Sequence, residues 1–212
     1  MCLADVSEAE LLEDRLGHSA RLHGQGRRIP HDGCFPTWFR VLGDLDAGAP
    51  QTPVVICHGG PGAPHDYCEP ISDLSRFGRA CVLYDQLGCG KSDLLPDAPA
   101  DFWTPQLFKD ELSALTRHLG IADRFAIVGQ SWGGMLAMDY ALDDPRGLHE
   151  IATPTLLVSG RYDEATPLIV GQIHERIPGA EWVLFEESRH MPHVEESVAF
   201  LAAVETFLLT ID

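Results

Sequence analysis

The sequence has few basic residues and no long apolar run. Fifteen lysines and arginines stand against 32 aspartates and glutamates, which gives a formal net charge of −17 at pH 7. Such a chain repels phosphate backbones and anionic membrane surfaces, so we expect neither a nucleic-acid nor a membrane partner. No apolar stretch reaches membrane-spanning length, and the first residues show no basic segment followed by an apolar run. We therefore expect a cytoplasmic protein.

Cysteine is absent from the chain after residue 89. The six cysteines lie between Cys2 and Cys89, at spacings that match no common disulfide or zinc framework, so we interpret them as reduced thiols. No internal repeat or low-complexity tract is present either. The 212 residues, 45% of them hydrophobic, suffice for one domain with a substantial core.

Short apolar runs alternate with longer helix-like segments through most of the chain. This pattern is typical of a mostly parallel sheet with helices on both faces. It predicts strands at 37–42, 53–57, 80–84, 125–128, 155–159 and 182–185, and helices at 105–119, from about Trp132, and at 194–209. We expect an N-terminal arm or short helix at 1–30 and one α/β domain at 31–212, with ligand sites at the carboxyl ends of the strands.

The most specific motif surrounds a serine. Gly129-Gln130-Ser131-Trp132-Gly133 follows the apolar run 125–128 and precedes the apolar start of a helix. This order of strand, turn and helix is typical of a nucleophile elbow, where glycines on both sides of the serine avoid backbone clashes. The motif predicts Ser131 as a nucleophile and the Trp132 N–H as an oxyanion donor. An unreactive serine in a glycine-rich turn is the alternative.

A serine nucleophile needs a base, and the base needs a carboxylate that orients it; in this type of fold the acid precedes the base along the chain. Asp163 follows the strand at 155–159 and is the predicted acid, with Glu164 as its competitor. His190 follows the strand at 182–185 and is the predicted base, with His193 as its alternative.

The pair His190 and His193, with Glu195 and Glu196 close by, superficially suggests a metal site. However, two histidines three residues apart in a loop lack the helical i, i+4 spacing and the third ligand of a zinc hydrolase. We therefore expect no metal and no cofactor.

A second glycine-rich motif, His58-Gly59-Gly60-Pro61-Gly62, comes directly after the predicted strand at 53–57. Consecutive glycines let the backbone turn its amides into a cavity, and in an α/β hydrolase this loop donates the second oxyanion N–H. Gly60 is the predicted donor, and we assign His58 and Gly59 to substrate binding. Taken alone, the motif would be an ordinary Gly/Pro turn.

These motifs together resemble a known family. The segments 58–62 and 129–134 are similar to the signature of proline iminopeptidases, and 84–92 resembles another loop typical of that family. The run 95–108 resembles the branch that contains L-proline amide and amino-acid amide hydrolases. The resemblance covers roughly residues 35–142 and 151–210.

The resemblance implies an α/β-hydrolase fold and a serine peptidase mechanism. Carried over residue by residue, the family's nucleophile falls on Ser131, its acid on Asp163, its base on His190 and its oxyanion donors on Gly60 and Trp132. The implied substrates are small peptides with N-terminal proline and small amino-acid amides.

One departure from the family lies between the nucleophile and the acid. In the family, a further sheet strand and a helical cap separate them, whereas here the residues from Ser131 to Asp163 suffice for one helix and one strand. We expect the cap and one central strand to be missing, with a deletion junction near 147–153. Because the family's cap supplies acidic groups that hold the substrate's amine, its loss should weaken proline selectivity.

Three functions are open at this point. The first is a proline iminopeptidase-like aminopeptidase or amidase that forms an acyl-enzyme on Ser131. The second is an open-site esterase, which needs no amine pocket. The third is a catalytically impaired, cap-deleted form that acts as a binding protein or an inactive isoform, because losing a strand exposes apolar faces. The sequence indicates no oligomeric state.

Overall fold

The computed structural model describes residues 35–45, 49–142 and 147–212. The predicted arm at 1–30, with Cys2, lies outside these residues. The chain divides into two compact units, one up to Ala137 and the other from Met138. The prediction of a single domain over 31–212 stays a prediction.

The secondary structure alternates as the sequence pattern predicts. The strands are β1 Phe39–Leu42, β2 Val54–Cys57, β3 Cys81–Tyr84, β4 Ala126–Gly129, β5 Leu156–Gly160 and β6 Glu181–Phe185. The α-helices are α1 Pro105–His118, α2 Trp132–Ala141, α3 Pro167–His174, α4 Pro192–Glu195 and α5 Ser197–Leu208. Helices of the 3₁₀ type span His65–Phe77, Ala100–Phe102 and Leu148–Glu150. The apolar pattern did not predict α3 or the helix His65–Phe77.

The first unit contains a four-stranded sheet in the order β1-β3-β2-β4. Strand β1 is antiparallel to β3, while β2 is parallel to both β3 and β4. Every residue of β2 and β3 is buried, as continuous apolar strands of a parallel sheet should be. The parallel strands end at the same edge, so the loops that begin at His58, Asp85 and Gln130 all leave the sheet there.

Helix α1 belongs to this unit and has a sharply defined start. The Thr104 side chain accepts a hydrogen bond from the Leu107 N–H at 3.2 Å, and Pro105 occupies the first helical position. Phe108, Leu112 and Leu115 lie on one face and are buried, as the 3.6-residue period requires.

The second unit contains a two-stranded parallel sheet, in which Leu156 pairs with Glu181 and Gly160 with Phe185. A small core formed by Leu142, Ile151 and Ile177 packs in the same unit. The carboxyl ends of β5 and β6 carry the loops with Asp163 and His190. No described helix is both long and apolar enough to cross a membrane.

Candidate active site

Ser131 lies in a sharp turn between β4 and α2. Its φ of 53° is in the left-handed region, which residues with a side chain rarely adopt. A Cβ at Gly129 would lie 2.2 Å from the Gly133 carbonyl oxygen, and one at Gly133 would lie 2.1 Å from the Cys57 carbonyl oxygen. Glycine is therefore required at both positions. Among the serines of the described ranges, Ser131 alone is exposed.

Helix α2 begins at Trp132, immediately after the serine. The first N–H groups of a helix have no carbonyl partner within it, and the positive end of the helix dipole lies there. The Trp132 N–H therefore has the chemistry of an oxyanion donor. The indole Nε1 of the same residue donates to the Gln86 side-chain oxygen at 3.0 Å, which fixes the ring.

The glycine-rich loop after β2 has a backbone that only glycine suits. Gly60 has a φ of 119°, and a Cβ there would lie 2.5 Å from the Gly62 nitrogen. The Gly59 N–H donates to the Tyr67 hydroxyl at 2.5 Å, and that hydroxyl donates to the Gln130 side-chain oxygen at 2.9 Å. Burial raises the pKa of Tyr67, so its hydroxyl keeps the proton that this second bond needs.

The His58 side chain is fully buried beneath the loop. The Gln86 N–H donates to His58 Nε2 at 2.9 Å, so Nε2 carries no proton and Nδ1 donates to the Gly59 carbonyl oxygen at 2.9 Å. Burial lowers the pKa of His58, which matches this neutral ring. The ring is therefore occupied in supporting the loop, whereas we had assigned His58 to substrate binding.

Gln86 and Tyr67 tie the glycine-rich loop to the serine turn. Gln86 donates through Nε2 to the His58 carbonyl oxygen at 2.8 Å and accepts from Trp132, while Tyr67 joins Gly59 to Gln130. Sequence reasoning missed both residues. Two signals pointed to Gln86: it lies in the segment 84–92 that resembles a loop of the family, and it follows the end of β3, at the same sheet edge as the serine.

Asp85, the residue before Gln86, is a buried carboxylate with a structural task. It accepts hydrogen bonds from the His65 N–H at 2.7 Å, from His65 Nδ1 at 2.8 Å and from the Lys91 N–H at 2.9 Å. Burial by itself raises the pKa of Asp85, but these hydrogen bonds outweigh it and hold the pKa below its ordinary value. The ionised group thus fixes the loop after β3.

The second unit brings the predicted acid and base together. His190 Nδ1 donates to Asp163 Oδ1 at 2.9 Å, and the same oxygen accepts from the Ala165 N–H at 3.0 Å. The bond places the ring proton on Nδ1, so in the neutral imidazole Nε2 is the basic nitrogen. Glu164, the competitor, is exposed, and His193, the alternative base, is buried against Phe200 at 5.9 Å between ring centroids.

The loop that carries His190 is held by two neighbouring carboxylates. Glu195 Oε2 accepts from the Arg189 N–H at 2.7 Å and from the Met191 N–H at 3.3 Å. Glu196 Oε2 accepts from the Ser188 hydroxyl at 2.5 Å and from the Glu187 N–H at 3.1 Å. These glutamates, whose proximity to histidine suggested a metal site, are engaged in holding the loop.

The same loop packs closely against the end of β5. A Cβ at Gly160 would lie 2.0 Å from the Arg189 carbonyl oxygen, and the Tyr162 N–H donates to the Ser188 carbonyl oxygen at 3.0 Å.

Over the described ranges, no group of three or more His, Cys, Asp or Glu side chains is arranged to hold a metal ion. Cys57, Cys68, Cys81 and Cys89 are buried free thiols.

A cavity of about 300 Å³ lies in the first unit beside the serine turn. Its wall includes Trp132, which follows Ser131, and Gly62 of the glycine-rich loop. Aromatic rings supply much of the rest: Trp103 stacks on Phe108 with 6.4 Å between centroids, and Phe108 meets the edge of Trp132 at 5.8 Å. The motifs and apolar patterns did not predict this cavity.

Known proteins share this fold and much of this sequence. The family model described as alpha/beta hydrolase fold matches residues 52–153. A proline iminopeptidase of Clostridium botulinum is 25% identical over 282 positions, covering 82% of this chain and 94% of that protein. A proline iminopeptidase of Levilactobacillus brevis is 42% identical over 128 positions, covering 59% of this chain and 41% of that protein.

Solved structures show the same likeness. The crystal structure of VinJ superimposes with a TM-score of 0.79 and 28% identity, covering 85% of this chain and 97% of that one. A Mycobacterium smegmatis proline iminopeptidase gives a TM-score of 0.77 and 27% identity, covering 85% and 98%. The predicted fold class is thereby confirmed.

The chain is also shorter than these relatives. The alignment with the Clostridium botulinum protein has 282 positions, more than the 212 residues of this chain, so that protein contains residues without a counterpart here. The chain thus has an α/β-hydrolase fold and is similar to proline iminopeptidases.

Proposed function

We propose that the protein is a serine hydrolase that cleaves small amides and esters through an acyl-enzyme on Ser131. The observation that carries the proposal is the strained turn at Ser131, whose φ of 53° and close-packed glycines serve no evident need other than presenting the hydroxyl. Prolyl peptides and small amino-acid amides are the first substrates to test, because the similar proteins named above are proline iminopeptidases.

The proposed mechanism begins with His190 Nε2 taking the proton of the Ser131 hydroxyl as Oγ attacks the carbonyl carbon. Asp163 stabilises the imidazolium through the bond to Nδ1. The carbonyl oxygen becomes an oxyanion, which the N–H groups of Gly60 and Trp132 stabilise. His190 then gives its proton to the leaving amine or alcohol as the carbon–heteroatom bond breaks, and the acyl group remains on Ser131.

Deacylation repeats these steps with water. His190 takes a proton from the water as its oxygen attacks the acyl carbon, and the second oxyanion occupies the same donors. The proton returns to Ser131 Oγ as the acid leaves. The hydrogen bonds of the His58, Tyr67 and Gln86 side chains hold the glycine-rich loop and the serine turn in position during both steps.

The proposal is tested by labelling the purified protein with a fluorophosphonate probe. We expect the wild-type protein and Ser197→Ala to be labelled and Ser131→Ala not to be. A folded wild-type protein that takes no label would contradict the proposal and favour a catalytically inactive form. A prolyl-amide turnover assay on unlabelled wild-type protein then addresses the substrate.

The acid and base are tested with paired neighbours. We expect His190→Gln to lose at least about a hundredfold in labelling rate, because general-base catalysis contributes about that much or more, while His193→Gln loses far less. Asp163→Asn should lose activity strongly, since the neutral amide does not stabilise the imidazolium and its NH2 can donate to Nδ1, which favours the wrong tautomer, while Glu164→Gln should not. The reverse ranking in either pair would reassign the role.

An esterase without aminopeptidase activity is the second candidate. It is favoured by the wall of the 300 Å³ cavity, which is built from apolar and uncharged side chains. Turnover of simple acyl esters, without turnover of prolyl amides, would select this candidate.

A further inference from the structure

The aromatic cavity of the first unit has no part in the proton transfers above, yet the aromatic side chains of its wall are held by specific contacts. Gly88, with a φ of 80°, lets the Trp103 ring approach the backbone, since a Cβ there would lie 2.8 Å from the ring. Phe108 is buried on helix α1, and Gln86 holds the Trp132 indole. The three rings are therefore fixed in place before any ligand arrives.

The position of the cavity connects it to the proposed reaction. Its wall contains Trp132, whose N–H is the first proposed oxyanion donor, and Pro61, which follows the second proposed donor Gly60. A carbonyl held by these donors would thus have one substituent beside the cavity. The acyl group stays bonded to Ser131 through both steps while the leaving group must depart, so a recessed pocket suits the acyl group better.

The chemistry of the wall restricts which acyl group can bind. The described lining residues include no carboxylate and no cation, and Thr104 supplies the one side-chain hydroxyl. An ammonium moved into this space would lose its hydration without gaining a counter-ion. An aromatic face attracts a cation only weakly in comparison. A compact uncharged ring, in contrast, gains by burial against the aromatic wall.

We propose that this cavity is an acyl pocket for an uncharged cyclic or branched apolar group, and that it selects such a group over the charged pyrrolidine of N-terminal proline. The proposal rests on the proposed function, because it presumes a carbonyl at Ser131. It names the substrate class as amides and esters of small apolar carboxylic acids. Cyclopentanecarboxamide and L-prolinamide form a suitable pair, since they share ring size and differ at the ring nitrogen.

The test is a binding measurement on the Ser131→Ala protein, which removes chemistry from the readout. Trp103 and Trp132 line the cavity, so binding should change the intrinsic tryptophan fluorescence. We expect cyclopentanecarboxamide to bind at least about tenfold more tightly than L-prolinamide. Equal or tighter binding of L-prolinamide, or no binding of cyclopentanecarboxamide, would overturn the proposal.

A matched pair of variants locates the binding. Leu94 lines the cavity and is 57% exposed, whereas Leu209 lies elsewhere and is 59% exposed. Leu94→Trp should narrow the pocket and weaken cyclopentanecarboxamide binding about tenfold, and Leu209→Trp should leave it unchanged. Equal affinity in the two variants, with unchanged circular dichroism, would place the ligand outside the cavity and refute the assignment. Failure of the proposed function would show instead as absent probe labelling of the wild-type protein.

Discussion

Replacing Glu111 by glutamine should change how the free energy of unfolding depends on pH. Glu111 lies on α1, is fully buried, and accepts hydrogen bonds from the Thr37 hydroxyl at 2.6 Å and the Leu87 N–H at 3.0 Å. Burial raises its pKa to about 8 from an ordinary 4.5, although these hydrogen bonds lower it in part. Leu87 also lines the aromatic cavity, so the carboxyl supports that wall.

The sign of the effect follows from which state holds the proton. Between pH 4.5 and about 8, the folded protein keeps the Glu111 proton and the unfolded chain releases it, so rising pH favours unfolding. The stabilisation is complete below the unfolded pKa and is lost as the pH rises through that window. The two pKa values correspond to a loss on the order of 4 kcal/mol between pH 5 and 8.

Urea unfolding at pH 5 to 9, followed by tryptophan fluorescence, measures this loss. Glutamine cannot ionise, so the free energy of unfolding of Glu111→Gln minus that of the wild type should rise by several kcal/mol, on the order of 4, between pH 5 and 8 and level off above. The other titrating groups cancel in this difference. The exposed Glu181→Gln serves as the control. A difference for Glu111→Gln that stays constant with pH would refute the reasoning.

Three further predictions concern the serine turn and the loop that carries His190. Gly129→Ala should abolish probe labelling, and unchanged labelling would contradict the packing given for the turn. Gly160→Ala should destabilise the loop of His190 by several kcal/mol, measured as a lower melting temperature, because a Cβ lies 2.0 Å from a loop carbonyl oxygen, whereas Gly171→Ala within α3 should be neutral or stabilise by up to about 1 kcal/mol. Glu195→Ala should reduce the labelling rate, because it removes the acceptor that holds the Arg189 and Met191 N–H groups of the His190 loop, and an unchanged labelling rate would contradict this role of the carboxylate.

Much of the fold could be predicted from local pattern. The buried strands β2 and β3 are continuous apolar runs, because both faces of a parallel sheet are covered by other parts of the protein. The helix His65–Phe77 and helix α3 were missed. The first is a 3₁₀ helix with Pro70 inside it, which interrupts a sequence-based helix prediction, and the apolar residues of the second form no clear stripe.

The turn at Ser131 could be predicted from local sequence, because glycine spacing around a serine between a strand and a helix is a local requirement of the backbone. The hydrogen-bond partners of the site residues could not be predicted in this way. The hydrogen bond between Asp163 and His190 joins the loops that follow β5 and β6, so it depends on the register of these two strands. Likewise, Gln86 reaches His58 and Trp132 only because β2, β3 and β4 end at the same sheet edge. Tertiary structure decided these contacts, since hydrogen-bond partners distant in the chain are selected by strand order and register, which leave no local mark in the sequence.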